Sequence, residues 1–470
     1  MRGRVPAFLA ATMLVIAACG GDDETSSTTA APGDSTSAET TPGETTPAET
    51  GGDKVAIKYQ LWDANQLPAY EACEAAFEAT DAGAGIDVQV EQLGWDDYWN
   101  GITTGFVSGT APDVFTDHLA KYPQFAESAQ ILPLNSYIEA DGVDSSVYFP
   151  GLADLWTRPN GDVFGLPKDW DTIAFVFNSQ MVADAGIDPA SLASLEWNPT
   201  DGGTFEQVIA KLSIDANGVR GDEAGFDAAN VATYGFGFVG TGGAYGQTEW
   251  SYFAASNGWT FMNQPYWGTE FNYADPKLAE TLSWIQGLIQ KGYAPPFEVF
   301  SATGHNDLFK AGTTATTSLG SWEIGDVKAA EFEIGFFPTP VGPTGKRASM
   351  FNGLADSISA SSAHPDEAWQ WVKFLASSDC QKLVGETAVV FPAIPEAAEI
   401  TKQTRADQGV DVSAFTVHVE EGTTFTFPIA DFAAEVGELM GPAMEDIFSN
   451  MADPTEVLTA VNGEVNALFG

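Results

Sequence analysis

From Val55 to Asp117 the chain alternates strand and helix patterns, and this alternation restricts the fold more than any other feature. Val55-Ala56-Ile57-Lys58-Tyr59-Gln60-Leu61 reads as a strand, after which Tyr70, Cys73, Ala76 and Phe77 recur at helical spacing. Ile86 to Val90 alternates apolar with polar, as a half-buried strand would. Trp95 to Val107 is helical in pattern, and Ala111 to Asp117, "APDVFTD", is a short strand entered through a proline. Strand, helix, strand, helix, strand is the signature of a right-handed parallel α/β layer.

A second unit follows "DWDTIAFVFNSQ", in which Ile173 to Phe177 is a run fit for a buried strand. Helical patterns cover Thr204 to Leu212, Gln247 to Ser256, Pro276 to Gln290 and Ser321 to Ala330. Strand patterns cover Val231 to Val239, Thr313 to Leu319 and Phe332 to Phe337. "HPDEAWQWVKFLASSDCQKLV" is a strong helix with proline in its first turn, and Pro428 to Phe469 is two helices broken near Asp453-Pro454. With 470 residues the chain is too long for one small core, so two or more lobes are expected. "DANGVRGDEAGFD", from Asp215, puts Val219 and Arg220 where a calcium loop needs a ligand and a glycine, so it reads as a polar turn.

The net charge is −46, a field that repels a phosphate backbone and argues against a nucleic-acid partner. The chain has three cysteines and four histidines, none at zinc-site spacing, and no nucleotide-loop or hydrolase-elbow motif. No metal or cofactor is expected. Arg2 and Arg4 precede an apolar run, Ala7 to Ala18, with the layout of a secretory signal and too short to span a bilayer. That run ends Ile16-Ala17-Ala18-Cys19, which resembles a bacterial lipobox with Cys19 as the lipidated residue. Residues 1–18 are then a signal peptide. Residues 19–52, almost all Gly, Asp, Glu, Ser, Thr, Pro and Ala, are a disordered tether to a lipid anchor on the outer face of the membrane.

In order and spacing these segments resemble family 1 extracellular solute-binding proteins, the carbohydrate-binding components of ABC importers. The resemblance runs from about Lys54 to the end, through "LWDANQLPAYEACEAAFE", "WDDYWNGITTGFVSGTAPDVFTD", "GDVFGLPKDWDTIAFVFNSQMVADAGI", "AGTTATTSLGSWEIGDV" and the "HPDEAWQWVKFLASSDCQKLV" segment with "FPAIPEAA" after it. It implies an α/β, two-lobe, periplasmic-binding-protein-like fold, each lobe a mostly parallel sheet flanked by helices. It places residues 53–172 with 352–410 in lobe 1, and 173–351 with 411–470 in lobe 2. About three hinge crossings join them: near Asp171 to Phe177, near Arg347 to Gly353, and between Thr404 and Pro428. The ligand would lie between closing lobes, in a monomer read by a membrane permease.

A sugar offers C–H faces that stack on aromatic rings and hydroxyls that need fixed partners, the strongest being carboxylates. A sugar site therefore sets Trp beside Asp, Glu, Asn or Gln. Such pairings occur at Trp62-Asp63 with Asn65 and Gln66, at Asp169-Trp170-Asp171, at Gln247, Glu249 and Trp250, and at Trp322-Glu323. From the resemblance, Trp62, Trp170, Trp250 and Trp322 line the cleft, joined by Asp117 and by Asn352-Gly353. Core packing is the competing role for every tryptophan; it suits Trp284, Trp369 and Trp371, and Trp95 and Trp99 stand between the two. A helix cap competes at Asp117, and a turn at Asn352-Gly353. In the implied fold Cys73 and Cys380 fall in the same lobe of an exported chain, so they either bond or stay as two buried thiols. The competing functions are a secreted glycoside hydrolase, which also sets carboxylates beside tryptophan, and the same fold holding a polyol or other polar solute.

Overall fold

The computed structural model describes residues 54–470, so the signal, Cys19 and the tether lie outside the described residues. The Val55–Leu61 strand is an inner strand of the four-stranded first sheet, parallel to Ile86–Gln92 on one side and to Val114–Asp117 on the other. Ala355–Ile358 closes that sheet antiparallel to Val114–Asp117, 240 residues further along between Asp117 and its hydrogen-bond partner Ser357. Leu67–Glu78 and Trp95–Ser108 are the crossover helices. The first buries Ala69, Tyr70, Cys73 and Phe77 on one face, the spacing of a core-facing stripe.

Two ties hold late chain to this early sheet. Cys73 and Cys380 form a disulfide between the Leu67–Glu78 and Ser378–Thr387 helices, with Cα atoms 5.1 Å apart. Beneath the sheet Lys168 is 2 % exposed, and its ammonium lies 3.0 Å from Asp356 Oδ1 and 3.0 Å from the Tyr59 hydroxyl. It also donates to Thr116 Oγ1 at 2.9 Å and sits 4.1 Å over the Tyr70 ring. All three donors of the ammonium are thereby used, which is what a buried charge requires.

The second sheet departs from the parallel arrangement expected of both lobes. Its central strand, Ile173–Asn178, is antiparallel to Thr316–Gly320 and to Ile334–Pro338. Parallel pairing survives only in single bridges, as from Tyr234 to Thr314 and from Gly237 to Thr317. The cause is the direction of entry. Ile173 comes straight from the first sheet's neighbourhood and runs away from it, whereas Thr316–Gly320 runs back, so Ile173 pairs with Gly320. The core behind it is aromatic: Phe175 stacks on Phe337 at 5.0 Å, with Phe205, Phe236 and Tyr252 around it.

The segments between the sheets lie side by side. Asp171 bridges to Asn352, Ser349–Phe351 pairs with Thr424–Thr426, and Asp169-Trp170 pairs with Phe391-Pro392. The C-terminal helices Ala433–Ser449 and Pro454–Ala467 break at Asp453, whose carboxylate caps the second by accepting from Thr455 and Glu456. Asp215 accepts from the backbone N–H groups of Asn217, Val219 and Asp227, so that segment is a turn closed on its own carboxylate. Among the described residues no helix is long and apolar enough to cross a membrane.

Candidate functional site

A cavity of about 500 Å³ lies where the carboxyl ends of the first sheet's parallel strands face the Ile173–Gly320 end of the second. Side chains after the carboxyl ends of parallel strands are free of the ladder, so open α/β sheets bind ligands there. The volume is that of a small-molecule site. Trp62, Asp63, Asn65 and Gln66 follow the first strand, Gln92 ends its neighbour, and His118 follows Val114–Asp117. The Trp62 ring meets Trp95 at 5.2 Å and Tyr98 at 5.4 Å, both edge to face, while the Gln92 amide donates to the Trp62 carbonyl at 2.8 Å. These contacts hold the indole in place before any ligand arrives. Trp95 itself is 48 % exposed, an unusual expanse of indole for a structural residue.

The floor is Asp169-Trp170-Asp171 with Asn352. Asp171 accepts from the Gln247 amide at 3.0 Å, and its backbone N–H donates to the Asn352 carbonyl. Burial, with Asp169 close by, pushes the Asp171 carboxyl well above the ordinary carboxylate range. Asp169 Oδ1 accepts from the Leu354 N–H, whereas its Oδ2 is buried without a partner. Burial raises Asp169 to about 6 against the opposing pull of Lys168. Burial also raises Asp63, against hydrogen bonds from Asn65 and Gln66. His118 is lowered to about 3 by burial and by Lys121. Its Nδ1 accepts from the Ala120 N–H at 3.0 Å, and its Nε2 lies 3.1 Å from the Asn352 side-chain nitrogen.

The opposite wall is built on the end of Thr316–Gly320. A Cβ at Gly320 would lie 2.1 Å from the Trp322 ring, so only glycine lets the indole fold over the strand end. Glu323 is held from three sides: Oε2 accepts from the Gly320 N–H at 2.8 Å, Oε1 accepts from the Asn306 amide at 2.9 Å, and His305 Nε2 lies 3.0 Å away. Burial alone would lower His305, but Glu323, with Glu249 and Asp326 beyond it, outweighs burial and raises the imidazole above its ordinary value. Asp326, also on the wall, pairs with Lys310 at 2.6 Å.

Of the residues expected from sequence, Trp62, Asp63, Asn65, Gln66, Trp170, Asp171, Gln247, Trp322 and Asn352 line this cavity. Trp170 does so from a buried position, stacked on Phe391 at 4.6 Å. Three expected residues do not line it. Trp250 is fully buried against Trp259 and Phe261, its indole N–H spent on the Thr241 carbonyl. Asp117 is buried between strands, accepting from the His118 N–H and the Ser357 hydroxyl, and caps no helix. Gly353 packs backbone to backbone: a Cβ there would sit 3.0 Å from the Asp169 carbonyl oxygen. Gln92, His118, Asn306 and Asp326 were missed. For Gln92 and His118 the available signal was their place at a parallel strand's carboxyl end; Asn306 and Asp326 carry no such mark.

Two α/β sheets with a polar, tryptophan-lined cleft between them make this a two-lobe binding protein. Residues 72–411 match the bacterial extracellular solute-binding protein family, and the chain belongs to it. It therefore works outside the cytoplasm. A binding protein of Brucella abortus (strain 2308) is 23% identical over 423 residues, 87% of this chain and 91% of that one. UspC of M. tuberculosis is 26% identical with a TM-score of 0.66, over 88% of this chain and 100% of that one. An ABC substrate-binding protein of Listeria monocytogenes in complex with cycloalternan is 20% identical with a TM-score of 0.75, over 89% and 100% of the two chains. The GacH receptor of Streptomyces glaucescens, solved unliganded and with acarbose, is 18% identical with a TM-score of 0.71, over 88% and 98%.

Proposed function

We propose that the protein is the substrate-capturing component of an ABC importer, that its ligand is a sugar or oligosaccharide, and that it performs no chemistry on it. The observation that carries this reading is the pairing of Trp62, Trp95 and Trp322 with Asp63, Asp171, Gln247, Glu323 and Asn352 around one cavity. Indole faces match sugar C–H faces, and oriented carboxylates and amides match hydroxyls. The ligands bound by the Listeria and Streptomyces relatives are saccharides or saccharide mimics, which supports the same chemistry here.

Residues 53–172 with 352–410 act as one lobe, and 173–351 with 411–470 as the other. The adjacent segments at Asp171, Ser349–Asn352 and Thr424–Thr426 are the hinge between them. Domain closure about such a hinge would bring Trp322 toward Trp62, and a membrane permease would read the closed form. The lipobox ending in Cys19 supports an anchor on the outer membrane face, and Cys19→Ser should release the protein from the membrane fraction.

Calorimetry of the full-length chain against an oligosaccharide panel, with chromatography of the same mixtures, tests the reading. Heat of binding with the sugar recovered intact is expected. Shortened products would return the glycoside hydrolase, and binding only to polyols or other non-sugar solutes would change the ligand class.

A further inference from the structure

The cleft carries a charge imbalance that hydroxyl recognition alone does not need. Its lining includes five carboxylates, those of Asp63, Asp169, Asp171, Glu323 and Asp326, and among the described residues no lysine or arginine. Two of the five have a cation behind them: Lys310 pairs with Asp326, and His305 lies against Glu323. Asp63, Asp169 and Asp171 have none within ion-pair distance among the described residues; their partners are Asn65, Gln66, Leu354 and Gln247. Lys168, the nearest lysine in sequence, is consumed by Asp356, Tyr59 and Thr116.

Three buried polar atoms on residues lining the same cavity lack partners: Asp169 Oδ2, Asn306 Oδ1 and the Trp170 indole N–H. Asp169 is 2 % exposed and its Oδ2 needs a donor; Trp170 is 2 % exposed and its indole N–H needs an acceptor. Buried polar atoms are normally satisfied, so such orphans on a cavity wall mark where a ligand's own groups belong. Two need a donor and one an acceptor, which asks for a ligand bearing both. The exposed Trp95 ring beside Trp62 adds a π face, to which cations are attracted.

We propose that this cleft is built for a saccharide carrying a protonated amine, which the Asp63, Asp169 and Asp171 carboxylates neutralise while Trp170 meets one of its oxygens. This rests on the carbohydrate reading above. Crowded carboxylates repel one another in the empty cleft and resist ionisation there, and an ammonium group removes both costs at once. A neutral sugar relieves neither, and an anionic one worsens both.

The test is calorimetry of the full-length chain against hexose disaccharides of several linkages. Each is presented in three forms: neutral, 2-amino-2-deoxy, and N-acetylated. The acetylated form keeps the nitrogen and loses the charge. The amine form should bind at least about tenfold more tightly than both others, as a charge-assisted contact implies. Asp63→Asn and Asp171→Asn should each shrink that preference severalfold. Neutral or acetylated forms binding as well as the amine, or a preference unmoved in both variants, would overturn the amine inference and leave the carbohydrate reading standing. No heat from any saccharide in any form would overturn the carbohydrate reading itself, and with it this inference.

Discussion

Asp117 makes the sharpest test of how burial governs this fold. Its carboxyl is buried between the Val114–Asp117 and Ala355–Ile358 strands, and burial raises it from 3.8 to about 7 against hydrogen bonds from His118 and Ser357. Between those values the folded chain holds a proton that the unfolded chain has released. Stability from this group is therefore full below the lower value and is lost as pH rises through the upper one. One proton over that window corresponds to about 4 kcal/mol at the limit, and about 2–4 kcal/mol is the working expectation. Asp169, raised to about 6, tilts the curve the same way, as does self-repulsion in a chain of net charge −46, so the slope of the wild type alone does not isolate Asp117. Asp117→Asn does, because asparagine keeps the shape and cannot ionise. Urea unfolding followed by tryptophan fluorescence, at steps from about pH 4 to about pH 8, gives the difference between variant and wild type. The variant should gain on the wild type by about 2–4 kcal/mol across that range, whatever constant offset the substitution itself brings. A difference that stays flat with pH would refute the assignment of a proton to this buried carboxyl.

Lys168→Met strands the Asp356 carboxylate in the core and should cost about 3–5 kcal/mol in chemical unfolding, while Lys168→Met with Asp356→Leu should cost less than the single change; a single-variant loss under about 1 kcal/mol would contradict the buried pair. Replacing Cys73 and Cys380 by alanine opens a link across 307 residues and should lower stability by about 5–6 kcal/mol in the chain-entropy picture, read as the gap between oxidised wild type and variant in urea. Trp322→Ala should weaken sugar binding by about 1–3 kcal/mol in calorimetry with an unchanged circular dichroism spectrum; wild-type affinity would remove it from the site. Trp170→Ala, which unstacks Phe391, should instead destabilise the fold by about 3–5 kcal/mol, visible in unfolding without any ligand present.

Local pattern was enough to read the first sheet, because a parallel strand-helix alternation writes its period into the chain residue by residue. The same holds for Trp62 and Trp322: each is a tryptophan beside a carboxylate at the end of a strand, and a strand end is a place in sequence before it is a place in space. Tertiary structure alone decided what such a pairing means. Trp250 beside Glu249 reads like Trp322 beside Glu323, yet Trp250 is buried against Trp259 and Phe261 while Trp322 folds over Gly320 into the cleft. Nothing within a few residues separates them, because burial depends on what packs from far along the chain. Strand direction in the second sheet was hidden for the same reason. An apolar run is the same whichever way its neighbours run, and only the entry of Ile173 from the first sheet made its pairings antiparallel. The charge of the cleft follows likewise from assembly: acidic residues dominate the whole sequence, but which carboxylates are left without a cation was settled when Lys168 turned to Asp356 and away from the cavity.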